Sequence, residues 1–372
     1  MSARLRLRER RGIALAAALL VAAAPAGAQR AAEATAAAPM TDMIEAVGTL
    51  MTAFHNYKAR YIRPNGRVVD NANGGISHSE GQGYAMLIAV KLGDRETFDQ
   101  VWQWTQDNLL VRGDGLIAWK WDPAAMPHVV DRNNATDGDV LVVWALVEAA
   151  LLWDELAYLE AARPVALAVA RHTLARTRWG EVFMPGTDGF SPEDRADGPV
   201  VNLSYWIFPA QEAMETALPE VDWAGIFDAG LRILEASTHG PLALPPEWTS
   251  LSGETPSPAE GFDPVFGYNA IRVPLYLAWG GNDLALLARF AGLHDAQANV
   301  GPFVIDVATG AAVEPLEQNG FRAVARLADC ALATSAGQAP RVVVGQSDQL
   351  YYPDTIALLS AIAQLEMYPQ CL

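Results

Sequence analysis

Two short polar segments carry the side chains best suited to acid–base chemistry. The first is Ile76-Ser77-His78-Ser79-Glu80-Gly81-Gln82-Gly83-Tyr84-Ala85-Met86, which sets one carboxylate beside two glycines ahead of an apolar stretch. Ser77-x-x-Glu80 also fits a capping box, in which Glu80 only closes a helix N-terminus. Gly81 and Gly83 are poor helix formers, and a missing Cβ lets another molecule approach the backbone closely. The second segment is Asn133-Asn134-Ala135-Thr136-Asp137-Gly138-Asp139, followed by the apolar run Val140 to Trp153. Thr136-x-x-Asp139 fits a cap as well, with Asp137 favoured by the helix dipole. So many polar side chains in seven residues exceed what a cap requires. Paired carboxylates on separate loops suit cleavage of a glycosidic bond. One acid protonates the leaving oxygen, and one carboxylate activates water on the opposite face.

Aromatic residues supply the third element: Trp102, Trp104, Trp119, Trp121, Tyr205, Trp206 and Tyr268. The apolar face of a sugar stacks on such rings, although any one Trp is most often core. Trp119 and Trp121 flank Lys120, so both point the same way if that stretch is extended.

The elements that must position these residues are mostly helical. Apolar residues recur at spacings near three and four from Glu96 to Leu110, Val140 to Ala161, Ile226 to Leu234, Leu284 to Leu293, Phe321 to Leu332 and Thr355 to Leu365. Roughly eleven helical segments are expected. Gly- and Pro-rich breaks at 111–135, 179–200, 239–266 and 296–315 read as site-building loops on that scaffold. Strand signals are sparse, and Val342-Val343-Val344 is the best of them. One domain over 41–372 is expected, preceded by a flexible Ala-rich lead-in at 29–40.

The chain has 372 residues, 51% of them apolar, enough for a large core. Its net charge of −17 argues against a nucleic-acid binder and against docking on anionic lipid. Five Arg, an apolar run from Ile13 to Ala24 and Ala26-Gly27-Ala28 form the layout of a signal peptide cleaved near Ala28. That run is too short to span roughly 30 Å of hydrocarbon. Its removal leaves a net charge of −21, and no later segment has 18 uninterrupted apolar residues. A soluble periplasmic or secreted monomer is expected. Cys330 and Cys371 can pair after export or remain two thiols. The six His are scattered, so neither a zinc site nor another cofactor is implied.

Taken together these segments resemble glycoside hydrolase family 8. Ser79 to Met86 is similar to that family's segment carrying the general acid. Ala135-Thr136-Asp137-Gly138-Asp139 through Trp153 resembles its signature, with Val142 and Val143 as apolar departures. Asn202-Leu203-Ser204-Tyr205-Trp206 is similar to a substrate-site segment, Gly267 to Val273 to a Y-D-A-x-R segment, and Tyr351-Tyr352 to a late aromatic pair. The resemblance implies an all-α (α/α)6 barrel with a groove at one end. It implies an inverting endo-hydrolase of β-1,4-glucan, of the periplasmic kind that accompanies the cellulose synthase machinery. By position Glu80 is the general acid and Asp137 the central carboxylate, described as nucleophile, base or holder of the distorted sugar. Trp119, Trp121, Asp139, Tyr205, Tyr268, Asn269 and Arg272 are expected to meet substrate.

One position departs from the pattern. Asn269 stands where many members have a base Asp, and a neutral amide takes no proton at pH 7. Either a carboxylate of the preceding loop (Asp263, Glu260 or Glu247, with Asp263 the choice) is the base, or Asp137 does the work, or the protein chiefly binds glucan. A xylanase or chitosanase on the same scaffold is the rival substrate reading. Glu80 must hold its proton near neutral pH, which needs desolvation or a like-charged neighbour.

Overall fold

The computed structural model describes residues 26–281, 283–291, 302–335 and 347–372. The expected signal peptide therefore lies almost wholly outside the described residues. So does Val342–Val344. The α-helices are α1 (Ala26–Tyr61), α2 (Ser79–Lys91), α3 (Arg95–Asn108), α4 (Thr136–Trp153), α5 (Leu156–His172), α6 (Gln211–Ala217), α7 (Trp223–Ala236), α8 (Arg272–Gly280), α9 (Leu284–Ala288), α10 (Asn319–Ser335) and α11 (Tyr351–Met367).

Two kinds of helix follow from two kinds of sequence. Helices α2 and α4 are apolar on every side and almost wholly buried, as a core helix must be. Helix α3 buries Phe98, Val101 and Trp102 and turns its polar residues outward. The buried helices form a closed ring. Helix α2 packs on α4, α4 on the 203–217 segment that ends in α6, that segment on α8, α8 on α11, and α11 back on α2. Outside them α3 packs on α2, α5 on α4, α7 on α6 and α1 on α11. This is an (α/α)6 barrel, as the resemblance implied.

The connections carry ten short strands among the described residues. Strands β1 (Ser77–His78) and β2 (Lys120–Trp121) pair antiparallel, with His78 opposite Lys120. Strands β3 (Leu174–Thr177) and β4 (Gly180–Phe183) form a second pair. Strands β5 (Val200–Asn202), β6 (Trp248–Ser250) and β7 (Ser257–Pro258) form one three-stranded sheet. Strands β8 (Val265–Phe266), β9 (Phe303–Asp306) and β10 (Ala312–Pro315) form another. The loops expected to build the site are therefore laced to one another rather than loose.

Several expectations need correction. The backbone over 29–40 is helical, the first part of α1, where a flexible lead-in was expected. The run Val140 to Ala161 is two helices, broken where Asp154 takes a left-handed conformation at φ 54°. The helix begun at Leu284 ends at Ala288. Trp102, Trp104 and Trp206 are core residues. Neither capping box forms. His78 caps α2 through Nδ1, which accepts the Gly81 amide at 3.0 Å. Thr136 donates its hydroxyl to the Met184 carbonyl at 2.6 Å instead of capping α4. Cys330 and Cys371 form a disulfide that ties α10 to the end of the chain.

Candidate active site

The N-termini of three ring helices converge at one end of the barrel. Glu80 is the second residue of α2, Asp137 the second of α4, and Arg272 the first of α8. Two glycines let α2 and α4 come this close. A Cβ on Gly83 would stand 2.6 Å from Leu141 Cβ, and one on Gly138 2.7 Å from the Glu80 amide. What approaches Gly83 is thus the neighbouring helix, and what approaches Gly81 is the Tyr351 hydroxyl, 2.8 Å from where a Cβ would stand. Helix N-termini also favour both carboxylates.

Arg272, only 2% exposed, organises the cluster. Its Nη1 donates to Glu80 Oε1, to Asp137 Oδ2 at 3.0 Å and to the Tyr84 hydroxyl at 3.2 Å. Its Nη2 donates to Asn269 Oδ1 at 2.9 Å. Tyr84, one helical turn after Glu80, donates to Glu80 Oε1 at 3.1 Å and pairs with the Tyr276 hydroxyl at 3.0 Å. Two carboxylates on one guanidinium leave a negative charge uncompensated, which favours keeping one proton on the pair. Asp137, 3% exposed, is pushed up to about 7 by burial, and the Asp139 charge adds to this. Asp137 is thus a buried carboxylate bound to the same guanidinium as Glu80.

Asn269 is equally well placed. Its backbone N–H donates to Glu247 Oε1 at 2.7 Å and its Nδ2 to Glu247 Oε2 at 3.0 Å. Glu247 precedes β6, and its own N–H donates to the Val265 carbonyl at 2.8 Å, which fixes it across the sheet strands. Of the three loop carboxylates it is the one bound into this cluster. Asp263 and Glu260 are exposed. Asp263 is therefore displaced by Glu247 as the carboxylate beside Asn269. Glu80 and Asp137 share one nitrogen, so their bonded oxygens lie within about 6 Å of each other. Glu247 reaches both only through a carboxamide and a guanidinium.

The aromatic and polar candidates divide. Tyr268 is 45% exposed, with its carbonyl fixed by the Tyr352 hydroxyl at 2.7 Å. Trp119 is half-buried, its indole N–H on Asp131 at 2.7 Å. Trp121 has His128 4.1 Å and Arg67 4.5 Å from its ring centre, so protein groups take its stacking positions. Tyr205 is buried, with the Arg272 guanidinium 5.8 Å from its ring centre. Asp139 is not a sugar ligand, since it is 0% exposed. Its oxygens accept the Ile117 amide at 2.8 Å and Asn134 Nδ2 at 2.8 Å, which braces the segment leading to Trp119. Asn133 and Asn134 accept the Thr187 amide at 3.1 and 2.8 Å. The polar surplus of this segment is therefore loop fastening around a single reactive carboxylate, Asp137.

Sequence reasoning passed over Tyr84 and Tyr276 and did not single out Glu247. Tyr84 was findable, because a residue four after Glu80 lies on the same helix face. Glu247 had no local signal. Its place depends on β6 pairing and on Asn269.

No group of His, Cys, Asp and Glu able to hold a metal occurs among the described residues. A carboxylate pair on one arginine, a further carboxylate bound through Asn269 and the partly exposed Tyr268 beside them fit a glycosidase site. The profile described as glycosyl hydrolases family 8 matches residues 28–365, so this chain belongs to that family and is a glycoside hydrolase. An endoglucanase from Cellulomonas uda is 38% identical over 238 residues, 64% of this chain and 66% of that protein, just under two thirds. A probable endoglucanase from Novacetimonas hansenii is 36% identical over 316 residues, 83% of this chain and 89% of its own. The crystal structure of a family 8 endoglucanase from Klebsiella pneumoniae aligns with a TM-score of 0.76 at 33% identity, covering 85% of this chain and 99% of that one.

Proposed function

We propose that this glycoside hydrolase is a cellulase, an endo-1,4-β-glucanase that cuts internal bonds of cellulose or a soluble glucan with inversion. The observation that carries the reading is the arrangement of Glu80 and Asp137 on Arg272, with Glu247 across Asn269. Glu80 gives its proton to the leaving glycosidic oxygen. A water attacks the anomeric carbon from the other face and loses its proton to Glu247. Asp137 holds the sugar hydroxyls while the ring flattens toward the oxocarbenium-like transition state. Arg272 and Asn269 keep the three carboxylates apart and oriented. The new reducing end then carries the α configuration.

Export to the periplasm, and service beside a cellulose-synthesising machine, are part of the same proposal. The Cys330–Cys371 disulfide supports an oxidising compartment, and the basic–apolar–small start supports a cleaved signal. No helix among the described residues is long and apolar enough to cross a membrane.

Proton NMR of cello-oligosaccharide digestion tests the chemistry. The expected first product is the α-anomer. Glu80→Gln and Glu247→Gln each lower kcat at least about a hundredfold, within the range of general acid–base catalysis. A β-anomer first, or a fully active Glu80→Gln, overturns it. Asn269 is the one observation behind a binding-only protein, which would retain glucan and release no reducing ends.

A further inference from the structure

Glu80 stands where an acid is hard to keep protonated. It is the second residue of α2, and the N–H groups of a helix's first turn favour a carboxyl's charged form. Arg272 from α8, which also holds Asp137 of α4, and the Tyr84 hydroxyl both donate to Oε1 and favour the charge further. The proton to be delivered therefore belongs on Oε2. Other groups take the first-turn donors on either side of Glu80. The Ser79 N–H goes to the Trp119 carbonyl at 3.0 Å, and the Gly81 N–H to His78 Nδ1 at 3.0 Å. A ring nitrogen that accepts an N–H keeps its lone pair, so His78 is neutral and carries its proton on Nε2. Asp70 Oδ2 lies 3.7 Å from Nε2, where its charge favours that tautomer. Tyr351 from α11 meets the ring edge-on, 5.6 Å between centres, and Lys120 stands opposite His78 across β1–β2. Nδ1 is also 3.8 Å from Glu80 Oε2, and it brings no N–H to that oxygen.

We propose that His78 is a positioning residue that keeps the proton on Glu80. Its neutral imidazole holds the Gly81 N–H, a donor that a carboxylate of the same turn would otherwise take. With that donor released, Glu80 gains a hydrogen bond to its charged form and gives up its proton more readily. Only the ring with Nδ1 unprotonated can prevent this, because a protonated Nδ1 has no lone pair for Gly81 and offers its own N–H to Oε2. His78 thus acts through Glu80 and does not itself touch the sugar. This rests on Glu80 as the proton donor proposed above and adds the group that keeps it one.

The pH dependence of kcat on hydroxyethylcellulose tests it, with Glu80→Gln as the control for the acid itself. A Glu80 that ionises more readily loses its proton at lower pH, so the alkaline limb moves down. His78→Ala is expected to move that limb down by about one unit, the scale of one hydrogen bond to a charged group, with KM nearly unchanged. His78→Asn, whose Oδ1 can accept the Gly81 N–H from the same place, restores the limb. In the parent protein, nitrogen NMR of the His78 ring, assigned by its loss in His78→Asn, is expected to show the Nε2–H form at pH 7. An unmoved limb in His78→Ala, a limb that His78→Asn does not restore, or a ring protonated on Nδ1 would overturn the role of His78 alone. The last of these does so even where His78→Ala fails to fold. A fully active Glu80→Gln would overturn the general-acid reading beneath it.

Discussion

Replacing Asn269 by Asp separates two explanations of the amide. If Asn269 is a lost base, Asn269→Asp restores a carboxylate and raises activity. If Glu247 is the base, the same change damages it. Asn269 Nδ2 donates to Glu247 Oε2 at 3.0 Å, so the variant puts two carboxylates at that separation. Two charges 3 Å apart repel by about 5 kcal/mol at an effective dielectric of about 20. Even a quarter of that moves a titration by about one pKa unit. Arg272 Nη2 lies 2.9 Å from Oδ1 of residue 269, so it keeps the negative charge there and the shared proton sits on Glu247. The base limb of the proposed mechanism then titrates higher. The pH–kcat profile on hydroxyethylcellulose is expected to lose activity at pH 5–6, with its acidic limb moved up by at least about one unit. The plateau should not exceed that of the parent. A severalfold higher kcat with an unmoved acidic limb would refute the reasoning and return the base to position 269.

Two further outcomes follow from burial and stacking. Asp137 and Asp139 are both pushed up to about 7 by burial, against about 3.9 in an unfolded chain. The folded protein therefore binds more protons between those values. The stability from these two groups is full below about pH 4 and is lost as pH rises through 7. Thermal scans should give a lower Tm at pH 8 than at pH 5, with a flatter dependence in Asp139→Asn; a Tm that rises over this range contradicts the assignment. Trp121→Ala should destabilise by about 3 kcal/mol in urea titrations, because the ring is packed between Arg67 and His128. Tyr268→Ala should leave stability nearly unchanged and raise KM. The reverse pattern would exchange their roles.

Much of this was legible in the residues because the chemistry and the helix signals coincide. Glu80 and Asp137 each open a continuous apolar stretch, and a helix buried on all sides announces itself by lacking a polar face. Gly81 and Gly83 also stood out, though what they admit is the Tyr351 hydroxyl and the adjacent helix, long-range packing that no local pattern encodes. The rest was hidden for the same reason. Asp139 reads as a second reactive carboxylate until the Ile117 amide and Asn134 are seen to occupy it. Trp121 reads as a sugar platform until Arg67, far away in the chain, lies on its ring. Asp263 and Glu247 are equivalent letters in a long loop, and only pairing between β5, β6 and β8 and their neighbours decides which meets Asn269.

The two ends of the proposed reaction stand on different ground. Glu80 and Asp137 are fastened by a helix crossing so tight that it leaves no room for a methyl group on either side. Glu247 hangs from a loop held by a handful of strand bonds and one amide. The acid side of the proposed reaction therefore rests on helix packing, and the base side on loop hydrogen bonds. Substitutions in the 239–266 loop can therefore shift Glu247 relative to Glu80 and Asp137 while the helix crossing that holds those two stays as it is.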